Sequence, residues 1–391
     1  MTSPQESRTS QSFNVWRADG SPLVVTRIAI AGDFLPAGHL PSAAHSSWGE
    51  LAEPLAPYFS GVATTFANLE CSIDVADLPP RPLNGIGQIV SANAHALDYL
   101  AAIKCHAVGI ANNHAYDFGQ PGVDCTRHAL AQRQLAPLGA GRTLAESPEV
   151  FVWRGPSNLR IGFWAAAKAA RDIATRTLPG VEPSTARRAA QALDAMKQQG
   201  ANFFVALLHA GCLRASRPAP EDVGIIRQMA RLGFHVVAAS HSHRISGCET
   251  IVPIGGAPSF CFYGLGSVVS GYIASPLERE GLIVVAGFDT EGAPAEISIR
   301  PVYLPKSGIG EVPSPEIARA IIHRFQALSA EIVDDSSTKA FYNEMSQGLV
   351  RLYLRDARAA LRQSGLRGLA RKAARVRLCH LKRLMHRVFA T

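Results

Sequence analysis

Five short apolar runs in this chain each stop at a residue able to hold a metal ion, and that coincidence narrows the folds open to it. Asp33 follows Leu23–Ala31, and Glu70 lies just beyond Gly61–Ala67. Asn112-Asn113-His114 ends Cys105–Ala111, His209 ends Phe203–Leu208, and His241 and His243 come after His235–Ala239. Further runs are Glu149–Trp153, Arg160–Ala166, Phe260–Tyr263 and Leu282–Phe288. Most lack polar alternation, as expected of strands buried on both faces. Helical patterns at Ala92–Ala102, Gly122–Gln132, Ser184–Gln199 and Glu221–Leu232 separate several of them. Strand–helix alternation predicts an α/β fold, in which ligands gather at the carboxyl ends of strands. The Asp289-Thr290-Glu291-Gly292 turn predicts a hairpin joining Leu282–Phe288 to Ala295–Tyr303.

The residues at these ends carry chemistry as a set more than singly. His241 and His243 are two apart on an extended segment, so both rings point the same way and can reach one metal or two neighbours. A polar loop would read the same. Asn112-Asn113-His114-Ala115-Tyr116-Asp117 has no core-packing rationale after a buried strand. An Asn carbonyl oxygen can ligate a metal, His114 can act as a general acid, and Asp117 can orient its ring. An Asn-rich turn satisfying backbone groups is the plainer alternative. Asp33, Glu70 and His209 each add one oxygen or nitrogen ligand.

Charge is unevenly spread. The net +8 hides a stretch from Arg351 onward with twelve Lys and Arg against one acid, Asp356. That stretch carries +11, so the remainder carries −3 and is not a basic nucleic-acid-binding body. Cys71, Cys105, Cys125, Cys212, Cys248, Cys261 and Cys379 are dispersed, odd in number and without CxxC spacing, which predicts reduced thiols. Residues 1–22 read as a flexible lead-in without the basic-then-apolar layout of a signal peptide. No run of about 18 apolar residues is present, so no membrane-spanning helix is expected. The expected location is cytoplasmic, with peripheral membrane contact open.

The order Asp, Glu, Asn-His, His, His-x-His resembles the calcineurin-like metallophosphatase superfamily. The local wording is similar to its poly-γ-glutamate capsule-biosynthesis (CapA-like) family. Asn112–Gly119 resembles that family's Asn-Asn-His-x-x-Asp-x-Gly block, and Asn68-Leu69-Glu70 its Asn-Leu-Glu block. Tyr263-Gly264-Leu265-Gly266-Ser267 resembles its Tyr-Ser-Leu-Gly-Asn segment. The resemblance implies a four-layer αββα sandwich over 23–305, followed by a helical extension over 306–391 that is basic from 351. It implies two divalent metal ions, Mn, Fe or Zn. Asp33 and His243 would hold one; Asn113, His209 and His241 the other; Glu70 would bridge them. His114 would be the acid at the leaving group, backed by Asp117. Such a site would hydrolyse a phosphoester or amide bond, in a chain linked to capsule-type anionic polymer. A non-catalytic subunit of a membrane-associated envelope-polymer assembly is the alternative reading.

Asp33-Phe34-Leu35 lacks the histidine of the wider superfamily's Asp-x-His opening, a loss the family often shares. The chain departs from the family's own wording at three places, and at the first Leu213 stands where the family has a carboxylate. Ser240 replaces a glycine and Ser267 an asparagine. Toward the end, Ser314-Pro315-Glu316 predicts a helix start. Leu366–Phe389 interleaves apolar and basic residues at loosely helical spacing. That pattern fits a basic helix on an anionic membrane or protein partner, or one docked on the body with its charges solvated. No aromatic platform accompanies the charge, so nucleic acid is disfavoured.

Overall fold

The computed structural model describes residues 11–20, 22–38, 40, 47–81, 88–168, 170–252 and 257–347. The apolar runs form two packed sheets. The first has eight strands, in the order Phe13–Arg17, Pro294–Tyr303, Glu280–Phe288, Thr26–Gly38, Val62–Leu69, Cys105–Gly109 and Ala136–Leu138, with Ser267–Gly271 also paired to Thr26–Gly38. The second has six, in the order Cys248–Ile251, Ser259–Phe262, Val236–Ser240, Phe203–His209, Arg160–Ala167 and Phe151–Arg154.

Period-two burial sorts the second sheet's side chains between two cores. Ile161, Phe163, Ala165, Val205 and Leu207 enter the large core shared with the first sheet. Trp164, Ala166, Ala206 and Leu208 face the other way, onto helices Ala186–Gln198 and Pro220–Leu232. Both helices present small and apolar residues there: Ala189, Ala192, Leu193 and Met196 from one, Ile226, Met229 and Ala230 from the other. Phe66 meets Phe163 across the sheet interface with ring centroids 4.8 Å apart. Helices Leu97–Ala102 and Gly119–Gln132 pack on the first sheet, giving the layer order helix, sheet, sheet, helix expected above.

The strands that carry the polar ends are parallel. Thr26–Gly38, Val62–Leu69 and Cys105–Gly109 run side by side, as do Arg160–Ala167, Phe203–His209 and Val236–Ser240. Register sets Asp33 opposite Asn68, and His209 opposite Ser240. Carboxyl ends from both sheets therefore open on one side of the molecule.

Three details differ from the sequence expectation. The lead-in is not wholly flexible: Phe13–Arg17 is an edge strand, antiparallel to Pro294–Tyr303, with Trp16 packed on Phe260. The first run does not stop at Asp33. It continues through a register shift to Gly38, because Phe34 and Leu35 are buried and the Ser267–Gly271 strand pairs alongside. That strand has no counterpart among the apolar runs. Gly32 makes the close approach possible, since a Cβ there would sit 2.1 Å from the Gly266 carbonyl oxygen. Near the other end, helix Pro315–Val333 is capped by Ser314, whose hydroxyl accepts from Ile317 N–H. Residues 337–347 are also helical. The basic stretch from 351 lies outside the described residues.

No disulfide joins any two of the described cysteines, Cys71, Cys105, Cys125, Cys212, Cys248 and Cys261. No helix among the described residues is long and apolar enough to cross a membrane.

Candidate metal centre

Six polar side chains far apart in sequence converge at the mouth between the sheets. Asp33, Glu70 and His209 are buried, and Asn113, His241 and His243 are partly exposed. Potential ligand atoms of Glu70, His209 and His241 lie within 4.8 Å of one another, and so do those of Asp33, Glu70 and His243. Glu70 belongs to both groups. Its Oε1 is 3.4 Å from His209 Nε2, and its Oε2 is 3.7 Å from His243 Nδ1. Asn113 Oδ1 lies 2.6 Å from His209 Nε2, extending the first group to a fourth donor.

Neighbouring groups hold several of these side chains and their backbone in place. The Glu70 N–H donates to Phe34 O at 3.0 Å, tying the end of one strand to the extension of its neighbour. Asp33 Oδ1 accepts from Asn68 Nδ2 at 2.7 Å, and Asp33 Oδ2 accepts from the His241 N–H at 3.1 Å. Asn112 Nδ2 donates to Leu69 O at 2.7 Å, while its Oδ1 accepts from the His114 N–H. His241 and His243 sit at φ 113° and 54°, in the left-handed region that β-carbons disfavour.

The donor set fits divalent cations. Two carboxylates, three imidazoles and one amide oxygen make the mixed nitrogen–oxygen environment suited to Mn, Fe or Zn. Glu70 Oε2 and His241 Nδ1 are buried without a hydrogen-bond partner. A buried polar atom left unpaired costs about 1–3 kcal/mol, and coordination would remove that cost at both atoms.

Electrostatics points the same way. Burial alone would raise the Asp33 carboxyl, but the hydrogen bond and charge of His243 hold it well below the usual carboxylate range. Burial would lower His243; Glu70 and Asp33 outweigh it and raise the imidazole to about 9. Burial, with His209 and His243 nearby, pushes His241 far below its ordinary value, leaving a neutral ring. In the metal-free protein, a histidine proton therefore balances part of the carboxylate charge.

Beside these six residues lies a dyad. His114 Nδ1 is 2.7 Å from Asp117 Oδ2, which also accepts from the Val90 N–H. Asp117 is fully buried, and its Oδ1 accepts from Arg171 at 3.2 Å.

The sequence matches the family model for bacterial capsule synthesis protein PGA_cap over residues 27–272. The chain belongs to this family. Capsule biosynthesis protein CapA of Bacillus anthracis is 24% identical over 168 residues, covering 41% of this chain and 39% of that protein. The chain therefore matches well under half of that relative's length. Among solved structures, it is similar to the calcineurin-like phosphoesterase YfkN of Bacillus subtilis, at 12% identity and TM-score 0.43, covering 80% of this chain and 100% of that one. It is also similar to a 5'-nucleotidase precursor of Thermus thermophilus, at 13% identity and TM-score 0.45, covering 78% and 59%. The family assignment rests on the sequence match.

All six converging residues, and the His114–Asp117 dyad, fall within the PGA_cap span. Leu35, at the histidine position of Asp-x-His, is buried, and Phe34 before it is stacked on Tyr99 at 5.1 Å. Leu213 is half exposed, and Ser267 Oγ is 3.4 Å from His243 Nδ1. Three participants had no assigned role from sequence. Asn68 links Asp33 to His209, whose Nδ1 is 3.4 Å from its amide; Asn112 fixes the backbone before the dyad; Arg171 caps Asp117. Asn68 and Asn112 lie inside motif blocks and were readable there. Arg171 carries no local signal.

Proposed function

We propose that the chain is a dinuclear metal-dependent hydrolase of the PGA_cap family, acting on a phosphoester or amide bond in capsule-type anionic polymer metabolism. The observation that carries this reading is Glu70. Its two oxygens face different histidine groups, as a bridging carboxylate requires. Two divalent cations would supply Lewis-acid activation of water and of the bond being broken.

The protein's own groups have separable tasks. Asn113, His209 and His241 would hold one cation and Asp33 with His243 the other. Asn68 keeps the Asp33 carboxylate turned toward the pair. Asp117 holds His114 by Nδ1, which leaves Nε2 as the atom able to deliver a proton to a departing oxygen or nitrogen. Val90 N–H and Arg171 keep Asp117 fixed while it does so. Positioned general acids of this kind contribute about 10²–10⁴ in rate.

The test is metal analysis of the purified chain, followed by turnover of a generic phosphodiester and a γ-glutamyl amide with Mn, Fe or Zn added. Metal-stimulated cleavage of either supports the proposal. Metal uptake without cleavage of either points to a non-catalytic subunit of a polymer assembly.

A further inference from the structure

Both loops bearing histidine ligands adopt backbone conformations that need outside support. Arg214 has φ 63°, and His241 and His243 have φ 113° and 54°. Non-glycine residues held there are strained, so their surroundings must over-determine them. The support comes from residues 337–347, beyond the PGA_cap span. Glu344 Oε1 accepts from the Ser216 N–H at 2.9 Å and from Arg244 Nη1 at 3.2 Å. Its Oε2 accepts from the Arg217 N–H at 3.3 Å. Phe341 packs with Ala215 and Ala219 beneath it. One carboxylate thus clamps the segment after His209 and the residue after His243.

Arg244 is gripped from both sides. Opposite Glu344, its Nη2 lies 3.3 Å from Ser275 Oγ and 3.9 Å from Glu278 Oε1, a carboxylate only 3% exposed. Its peptide neighbour His243 points at Asp33 and Glu70.

We propose that Arg244, fixed between Glu344 and Glu278, is a positioning residue for His243, so that the cation affinity of the centre depends on the helical residues 337–347. The idea rests on the metal-centre reading above and extends it to a region that the family motifs do not cover. It also makes the centre responsive to whatever moves this helix.

The test uses the full chain and Co²⁺ alone, titrated while the visible absorption band is followed. Glu344→Gln and Arg244→Gln should each weaken Co²⁺ binding about tenfold, the lower end for residues that orient ligands, and should alter the band. The double variant should be little worse than either single one. Glu331→Gln is the control. It breaks a closer pair, with Arg217 at 2.6 and 2.8 Å, without touching Arg244, and should bind as wild type. Wild-type affinity in Glu344→Gln overturns the proposal, and so does equal weakening by Glu331→Gln. Hydrogen exchange of the metal-free protein reads the same coupling without any cation. Glu344→Gln should speed exchange over 241–246, and unchanged exchange there also overturns it. A wild-type chain that takes up no Co²⁺ counts against the metal-centre reading instead, with the exchange result still deciding the role of Glu344.

Discussion

Asp33 Oδ2 lies 3.2 Å from His243 Nδ1, a carboxylate–imidazolium pair standing where a cation would bind. His243 is raised to about 9 because Glu70 and Asp33 face it against the pull of burial, so at pH 7 the metal-free ring carries its proton. A cation taking that place must expel it. Cation binding at pH 7 should therefore release about one proton, and affinity should rise with pH until about 9, then flatten. Calorimetry in two buffers of different protonation enthalpy checks this; equal heats in both would contradict it.

The same pair predicts a pH-dependent stability. A raised imidazole stabilises the fold fully below its unfolded value near 6.5 and loses that contribution as pH rises through about 9. The metal-free protein should lose on the order of 2 kcal/mol between those limits, and loading with Mn²⁺ should flatten the dependence. Urea unfolding at pH 6.5 and 9, with and without Mn²⁺, measures both slopes.

His209→Ala and His241→Ala should lower metal content and turnover together, because each removes a nitrogen from the group that includes Asn113. Either variant with wild-type metal content and metal-stimulated turnover speaks against the ligand assignment.

His114→Ala should separate the two properties. His114 touches Asp117 and carries no ligand role, so metal content should stay at the wild-type level while turnover falls about 10²–10⁴-fold. Asp117→Asn should fall less, since the ring keeps one hydrogen-bond partner. Metal loss in His114→Ala would place the ring among the ligands.

Gly32→Ala tests the strand junction. Its Cβ would meet the Gly266 carbonyl oxygen at 2.1 Å, and the Asp33 N–H donates to that same oxygen. Relieving the clash should cost about 3 kcal/mol and displace Asp33. Denaturant unfolding should show the loss, with weaker metal binding beside it.

Most of the centre was legible because buried parallel strands announce themselves as unbroken apolar runs, and their polar terminators stand out. Asp33, Glu70, Asn113, His209, His241 and His243, which the structure brings together, were singled out this way. Phe13–Arg17 was hidden because a five-residue edge strand with polar neighbours reads as linker until its partner strand is known. Ser267–Gly271 was hidden by its composition, two valines set among serines and a glycine, and with it the continuation of the first strand past Asp33. Arg171, Arg244 and Glu344 act through contacts across long stretches of chain. Nothing in their local sequence separates them from solvated surface charge.

The most direct measurement is the number of cations bound per chain by wild type and by Glu70→Ala, counted by elemental analysis after equilibrium dialysis against Mn²⁺. A carboxylate shared by both groups predicts two equivalents in wild type and the loss of tight binding at both sites in the variant. A Glu70→Ala chain that still retains two would contradict the account.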